Sequence, residues 1–330
     1  MAASGNSTFT TANGAAYAIE KTIKRDFKLL WDTAHPLLAL IQNGGNFNKG
    51  GKIEGLSLVL PVQFDNMTTP VDGSAASNLT PLTPGANQGD TQALFAFTRY
   101  HGAFWLDPDE LQLLMNGARG NLLQARKKQV TQSYKKALSG DLQGTAAAAR
   151  ANVMGLRHTL SQSNTVGGIT QGGDNGYWNA QLRTGGGVFA VSHVDDMMDA
   201  IHREGRSKVD LINFGSNSTV NMIGKMRDNV APLQRIQNSN SKLVKFGFDS
   251  FVYRDAECVD DPDLGSALST TGAFQCLSTD SFYWMGDPDK MKVTQRGLEG
   301  TGAQEFYHES WVCLACDDIA VNGFASAYTS

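Results

Sequence analysis

The sequence has little charge and no long apolar run, and each shortage argues against a class of protein. Charged residues make up 18% of the 330 positions, and the formal net charge is −4. A dedicated nucleic-acid-binding protein normally carries a strong basic excess, so nucleic-acid binding is excluded as the main function. No stretch approaches the roughly 18 consecutive apolar residues of a membrane-spanning helix. We therefore expect no membrane partner.

Cysteine is also scarce. The four cysteines, Cys258, Cys276, Cys313 and Cys316, are too few for a disulfide framework in a chain of this length. Residues 1–11 are small and polar, and they lack the basic stretch and apolar core of a signal peptide. We therefore expect an intracellular protein with reduced thiols.

Glycine is abundant instead. It occupies 35 of 330 positions, well above the roughly 7% of an average protein. Together with 41% apolar residues, this composition predicts a substantial buried core whose elements are joined by long loops.

Residues 15–41 have the period of an amphipathic helix. Ile19, Ile23 and Phe27 form an apolar stripe. Basic residues fill the opposite side: Lys21, Lys24, Arg25 and Lys28. A basic amphipathic helix is compatible with membrane or nucleic-acid contact, but we favour an exposed face over a packed stripe.

Residues 53–64 and 91–106 alternate as β-strands do. The intervening segment, residues 65–90, consists mostly of Thr, Pro, Gly, Ala, Ser and Asn. Such a long structureless loop is unusual in a compact domain because ordering it costs entropy. Two alternatives stay open: the segment is disordered, or the hairpin projects from the body and another chain orders it.

A long capped helix follows the hairpin, over residues 107–139. Asp107 is a natural N-cap, Pro108 suits the first helical position and Glu110 completes a capping box. Gly117 and Gly120 lie inside this helix and predict a bend, since each costs about 1 kcal/mol relative to Ala.

The rest of the chain alternates between short helices and strands. Ser192 is predicted to cap a helix that ends before Gly205, and two more helices are predicted at residues 151–160 and 218–229. Strands are predicted at residues 209–214, 243–253, 273–284, 291–294 and 305–325.

Cys313-Leu-Ala-Cys316 has the spacing of a zinc knuckle or a redox pair. Its surroundings alternate as a strand does, so the two thiols would point to opposite faces. Ordinary buried small side chains are therefore favoured over a metal site.

No other constellation predicts an active site. The six histidines are scattered, and a triad of His101, a serine and Asp195 or Asp196 is the kind of set that any long chain offers. Residues 185–187 lack a phosphate-loop signature and predict a flexible turn. Residues 260–263 lack the later ligands of a calcium loop and also predict a turn. Residues 126–128 are interpreted as the solvated face of a helix.

The order of the elements resembles the major capsid protein of tailed bacteriophages, whose fold is named after phage Hong Kong 97. The resemblance is one of pattern over nearly the whole chain. Five segments carry it: Ala-Leu-Ser-Gly-Asp at 137–141, the strand and helix at 209–229, and the closing strands at 282–285, 291–293 and 306–315.

This resemblance implies an α+β fold with a specific division of the chain. It implies an N-terminal arm and helix (1–50), an extended β-hairpin loop (51–106), a spine helix of the peripheral domain (107–150), an axial domain (151–285), peripheral-domain strands (286–316) and a C-terminal axial-domain strand (317–330).

The resemblance also implies a function. It implies a coat protein that assembles into hexamers and pentamers of an icosahedral shell, in a virion built in the host cytoplasm. It implies no catalytic, cofactor-binding or metal site, and as partners a portal and a scaffolding or decoration protein. Packaged DNA would be contacted weakly, since tight phosphate binding needs clustered Lys and Arg.

Some members of that family join neighbouring subunits through a Lys–Asn bond. Here Lys52, at the base of the hairpin, is its only lysine, so a crosslink from the tip is not expected. The alternatives are a virion structural or decoration protein of another fold and, behind it, an intracellular α/β enzyme.

Overall fold

A computed structural model of the chain describes residues 35–41, 47, 52–63, 90–109, 120–149, 152–172, 176–205, 208–216, 220–229, 250–268, 271–286, 292–297 and 304–329. Several predictions lie outside these residues: the N-terminal arm with most of the helix at 15–41, the hairpin tip at 65–89, the bend at Gly117 and the first part of the strand at 243–253.

The described helices are α1 (Pro36–Ala39), α2 (Gly120–Leu142), α3 (Leu156–Thr159), α4 (Val191–Gly205), α5 (Met222–Asn229) and α6 (Pro262–Ser266). The described strands are β1 (Lys52–Glu54), β2 (Ser57–Gln63), β3 (Asp90–Ala96), β4 (Thr98–Leu106), β5 (Thr165–Val166), β6 (Ile169–Thr170), β7 (Gln181–Val188), β8 (Leu211–Gly215), β9 (Ser250–Tyr253), β10 (Ala256–Asp260), β11 (Gly272–Leu277), β12 (Phe282–Met285), β13 (Lys292–Gly297), β14 (Gln304–Cys316) and β15 (Gly323–Thr329).

The chain divides into two compact units. Unit 1 comprises Met1–Ala34, Arg99–Leu138 and Gly286–Val312, and unit 2 comprises His35–Thr98, Ser139–Met285 and Cys313–Ser330.

Unit 2 is built on a mixed six-stranded sheet with the order β7-β15-β11-β8-β10-β9. The β7–β15 and β8–β10 pairs are parallel and the other pairs are antiparallel. Apolar side chains of the sheet, such as Phe214 and Phe274, form one core with Val194 and Ile201 of α4 and Met226 of α5. The three-to-four residue spacing in α4 places its apolar side chains on the face that packs against this core.

The base of the extended hairpin also belongs to unit 2. Strands β1, β2 and β3 form an antiparallel sheet in which Leu58 lies opposite Phe95, and both are fully buried. The β5–β6 turn holds β3 because the Gly167 carbonyl accepts the Leu94 N–H at 2.8 Å. A Cβ at Gly167 would lie 2.8 Å from the Ala93 Cβ, and its φ is +61°, so only glycine fits this contact.

In unit 1, α2 packs on β4. The rings of Tyr100 and Tyr134 meet edge to face with 5.2 Å between their centroids. A Cβ at Gly102 would lie 2.8 Å from a methyl group of Val130, so the absence of a side chain lets helix and strand approach. On the same sheet, β13 and β14 pair in antiparallel register.

Four predicted strands are each broken into two: 53–64 into β1 and β2, 91–106 into β3 and β4, 273–284 into β11 and β12, and 305–325 into β14 and β15. The strand predicted at 91–106 breaks at Phe97 because the chain changes its partner there: β3 pairs with β2, and β4 pairs with β14. The Phe97 N–H donates to the Leu56 carbonyl at 2.9 Å and so extends the β2–β3 ladder by one step. The strand predicted at 305–325 ends at Cys316. There the chain turns, and Asn322 fixes the turn by donating to the carbonyl of Asp318 at 2.9 Å.

The helix predicted to be capped by Ser192 begins one residue earlier, at Val191. His193 accepts the N–H of Ala190 through Nδ1 at 3.2 Å, which is the bond that Glu or Gln makes in an ordinary capping box. The helix predicted at 151–160 is reduced to α3, because Gly155 lies against the carbonyl of Gly144 in an extended conformation.

Candidate assembly surfaces and a buried polar network

Two leucines at the base of the hairpin expose most of their side chains. Leu56 is 61% exposed and Leu94 is 52% exposed. The neighbours of Leu94 in β3, Ala93 and Phe95, are fully buried, so the alternation of the strand turns Leu94 outward. Single exposed leucines are common on protein surfaces, so these two side chains make the hairpin base a candidate interaction surface and no more.

A second candidate surface lies on β4 and β14 in unit 1. Arg99 forms an ion pair with Glu309, at 2.8 Å from Nε to Oε1, and its guanidinium lies 5.9 Å from the ring centroids of both Tyr307 and Trp311. On β4, Trp105 is 66% exposed. Trp, Tyr and Arg are the residues that dominate binding energy at protein interfaces.

The third candidate is the edge strand β7. Within the part of the chain that the structure describes, β7 pairs on one side only, with β15. Leu182 and Val188 lie near its two ends and are 40% and 61% exposed. Unpaired backbone groups beside apolar side chains make such an edge prone to pairing with another chain.

A closed ring of four buried side chains lies inside unit 2: Gln143, Asn213, Asp261 and Gln275, all fully buried. Asn213 donates to Asp261 Oδ2 at 3.1 Å and to Gln275 Oε1 at 3.3 Å. Gln275 donates to Gln143 at 3.0 Å, and Gln143 closes the ring by donating to Asp261 Oδ2 at 2.7 Å. The ring therefore joins the residue after α2 to β8, β11 and the start of α6.

Asp261 is also the N-cap of α6. Its Oδ1 accepts the N–H of Asp263 at 2.9 Å, and Pro262 occupies the first helical position. Burial raises the pKa of Asp261, and the hydrogen bonds that it accepts from Asn213 and Gln143 oppose this shift.

Asp263 forms a separate, partly exposed cluster beside the ring. Its Oδ2 accepts from Ser139 Oγ at 2.6 Å and lies 2.8 Å from Nδ1 of His35. The side chains of His35 and Asp263 are 9% and 18% exposed. This group resembles a catalytic triad in composition only, because the carboxylate lies between the other two and the serine donates to it rather than to the imidazole.

The predictions of a turn at residues 260–263 and of a flexible turn at residues 185–187 are both wrong. Asp261 begins a helix, and Gly185 lies inside β7. A Cβ on Gly185 would lie 2.5 Å from the Tyr328 ring, so the glycine makes room for that ring. The sequence contains the signal for the start of α6, because Pro262 follows Asp261 just as Pro108 follows Asp107.

The cysteines of the CxxC segment are buried side chains of β14, as predicted. Cys313 lies opposite Met285 and Cys316 opposite Phe282, and both thiols are free. Burial raises the pKa of Cys313 to about 12 and that of Cys316 above its usual range.

The other sequence candidates occupy ordinary surface positions. Asp195 and Asp196 on α4 accept from Arg254 and Arg183, respectively. His101 stacks on Tyr307, with 5.7 Å between the ring centroids. Arg126 and Lys128 are exposed on α2 as predicted, and Lys52 is the first residue of β1.

Within the described residues, no three His, Cys, Asp or Glu side chains are grouped closely enough to hold a metal ion. Over the same residues, no helix has the length and apolar character needed to cross a membrane.

No family model matches the chain, and no curated protein sequence matches it. Solved structures do match, almost end to end. The cyanophage A-1(L) capsid asymmetric unit matches with a TM-score of 0.64 and 12% identity, over 94% of this chain and 97% of that chain. The capsid of an empty GTA particle matches with a TM-score of 0.59 and 12% identity, over 93% of this chain and 94% of that chain.

A third similar structure is the holo-SrpI encapsulin complex from Synechococcus elongatus PCC 7942. Its TM-score is 0.59 at 9% identity, over 94% of this chain and 95% of that chain. At such low identities the likeness establishes the fold. The chain has the α+β fold that these capsid and encapsulin subunits share. It is the phage major capsid protein fold, the Hong Kong 97-type fold that the sequence pattern predicted.

Proposed function

We propose that this protein is a major capsid protein that self-assembles into the hexamers and pentamers of an icosahedral phage head. The observation that carries this proposal is the end-to-end match to a cyanophage capsid subunit, over 94% of this chain and 97% of that chain. A match of this extent leaves little of the chain for an additional catalytic domain. We therefore propose a structural role rather than an enzymatic one.

The exposed side chains support self-association. Leu56, Leu94, Trp105, Leu182 and Val188 are large, apolar and between 40% and 66% exposed. They lie on the hairpin base, on the β4–β14 face and on the β7 edge, so subunits that surround one another could cover all of them. Low charge favours the same role, because burying charged surface costs desolvation energy.

The proposal includes the division of the chain and the partners that the resemblance implies. Residues 51–106 would be the extended loop, 107–150 the spine helix, and 151–285 with 317–330 the axial domain. A portal and a scaffolding or decoration protein would be the protein partners. Packaged DNA would touch the shell weakly, and the particle would assemble in the host cytoplasm.

Assembly of the purified chain tests the proposal. Sedimentation velocity of the expressed protein, followed by electron microscopy of the fast fraction, should show closed shells or ring-shaped capsomers. A chain that stays a clean monomer at high concentration and under varied salt would contradict the proposal and favour the enzyme alternative.

A second candidate, an encapsulin subunit, is favoured by the match to the SrpI encapsulin complex. Particles isolated from the natural source distinguish the two candidates. Nuclease-protected DNA inside the particle supports the phage head, and its absence favours the encapsulin candidate.

A further inference from the structure

The edge of β3 is regular and carries an exposed apolar side chain. Within the described residues, β3 is the last strand of the sheet β1-β2-β3. It pairs with β2 without a register shift over its full length, from Asp90 to Ala96. Leu94 lies on this edge strand and is 52% exposed. Natural proteins usually cover or interrupt such an edge, because it can pair with a strand of another molecule.

The tip of the β5–β6 hairpin covers this edge. The Leu94 N–H points away from β2 and donates to the Gly167 carbonyl at 2.8 Å. A Cβ on Gly167 would lie 2.8 Å from the Ala93 Cβ and 2.9 Å from Cζ of Phe95. The backbone of the turn therefore lies against β3 on both sides of Leu94. No other strand can bond to the Leu94 N–H unless the turn is displaced.

The turn keeps its shape through bonds of its own. Gly167 and Gly168 have φ values of +61° and +84°, as the two central residues of a tight two-residue hairpin turn require. Next to the turn, the Trp178 Nε1–H donates to the Val166 carbonyl at 3.1 Å, and both residues are 1% exposed. This buried bond fixes the position of β5.

Gln171, which follows β6, adds a second support. Its Nε2 donates to the Thr159 carbonyl at 2.9 Å, and its Oε1 accepts the Asn164 N–H at 3.2 Å. Gln171 is 4% exposed, so water competes little for these bonds. A two-stranded hairpin is marginally stable by itself. The supports at Trp178 and Gln171 therefore hold the turn in place at the edge of β3.

We propose that the β5–β6 turn guards the edge of β3 and prevents it from pairing with β3 of a second copy of this chain. A second copy fits because an antiparallel β3–β3 pair is self-complementary about a twofold axis, and it would bring the two Leu94 side chains close together. The turn closes the backbone edge but leaves the Leu94 side chain exposed. Copies can therefore meet through side chains, whereas addition of a strand to β3 is blocked. This inference does not depend on the formation of shells.

Two glycine variants of the full-length protein separate the guard from the strain of the turn. Gly167→Ala places a methyl group against β3, whereas Gly168→Ala adds one where nothing lies within 4 Å. Both positions have a positive φ, so both variants strain the backbone. We expect amide exchange at Leu94 to be roughly three- to tenfold faster in Gly167→Ala than in Gly168→Ala, the change expected for loss of one hydrogen bond. Exchange in β8 and β11 should be equal in the two variants.

Sedimentation velocity over a concentration series then measures pairing between copies. Gly167→Ala should associate at lower concentrations than Gly168→Ala, and electron microscopy should show irregular aggregates rather than closed shells. Adding Leu94→Lys to Gly167→Ala should suppress this association, because a charge on an edge strand opposes pairing.

A third variant covers the case in which Gly167→Ala loosens the whole of unit 2. Trp178→Phe keeps an aromatic ring and removes the bond to Val166, so exchange at Leu94 and association should change in the same direction by a smaller factor. Three results would each overturn the guard: equal effects of the two glycine variants, faster exchange at Leu94 without association, and association that Leu94→Lys does not suppress. If Gly167→Ala loosens unit 2 throughout, unchanged exchange at Leu94 in the Trp178→Phe protein overturns it as well.

Discussion

At the scale of single residues, Asp261 couples the stability of unit 2 to pH. Burial raises its pKa in the folded chain, so folding disfavours the charged form. Its contribution to stability is therefore fully present below the unfolded pKa of about 3.9 and is lost as pH rises through the folded value. Asp210, Asp317 and Asp318 also have raised pKa values from burial, so a comparison of variants is needed to isolate Asp261.

Asp261→Asn should fold and should remove this part of the pH dependence. The asparagine keeps an oxygen for the cap, and its NH₂ is accommodated if the amides of Gln143, Asn213 and Gln275 all rotate to reverse the ring. Urea unfolding between pH 4 and 7 should give a flatter stability curve than the original chain. Asp261→Leu should cost about 3 kcal/mol or more, because it leaves several buried donors without an acceptor. Equal pH slopes for the Asp and Asn proteins would contradict this explanation.

Tyr328 carries a buried hydroxyl that the structure gives no hydrogen-bond partner. Its ring packs on Phe274 and Phe189, with centroid distances of 5.7 Å and 5.6 Å. Tyr328→Phe should therefore be neutral or stabilising by about 1 kcal/mol, whereas Tyr328→Ala should lose about 3–5 kcal/mol as a large cavity opens. Thermal unfolding of both variants checks this, and a strongly destabilised Phe variant would show that the hydroxyl has a partner.

The four cysteines should resist modification in the folded protein. All four are buried, and burial raises their pKa values, which leaves little reactive thiolate at neutral pH. Maleimide labelling followed by mass spectrometry should show slow labelling of the native chain and four additions after denaturation. If one thiol reacts rapidly without denaturant, the structure around that cysteine opens locally in the native protein.

At the scale of secondary-structure elements, β15 contains a bulge that directs Tyr328 into the core. The register with β7 shifts between Ser326 and Tyr328, and Ala327 in between has a φ of +66°. Ala327→Gly should stabilise the protein by up to about 1 kcal/mol, since glycine adopts this conformation without strain. Ala325→Gly, on the same strand without a positive φ, is the control and should destabilise. If Ala327→Gly instead destabilises the protein, the methyl group of Ala327 stabilises the fold by more than the backbone strain costs.

At the scale of the whole molecule, the polar tip of the hairpin is expected to serve assembly rather than folding. Residues 68–88 contain three large apolar side chains, Val71, Leu79 and Leu82, which are too few to form a core of their own. Deleting them should leave a soluble chain that keeps its thermal unfolding transition and forms no closed shells in the electron microscope. If the deletion variant forms normal particles, the tip is not needed for assembly.

Several elements of the fold follow directly from local patterns in the sequence. The apolar spacing of α4 and the alternation of β14 set their buried faces, because helix and strand periods are properties of neighbouring residues. The order of these elements was enough to predict the α+β capsid fold. The ends of these elements nevertheless differ from the predicted ends by a residue or more. At Ser192, for example, the helix begins one residue earlier, and His193 makes the capping bond.

The places of polar and irregular residues depend on contacts between distant parts of the chain. Gln143 and Gln275 are 132 positions apart and bond directly, and neither has a local signal that marks it as buried. Gly185 lies in β7 at a position where the Tyr328 ring leaves no room for a side chain, and β14 ends where Asn322 fixes the turn. Such positions depend on partners distant in the chain, and no pattern among adjacent residues encodes those contacts.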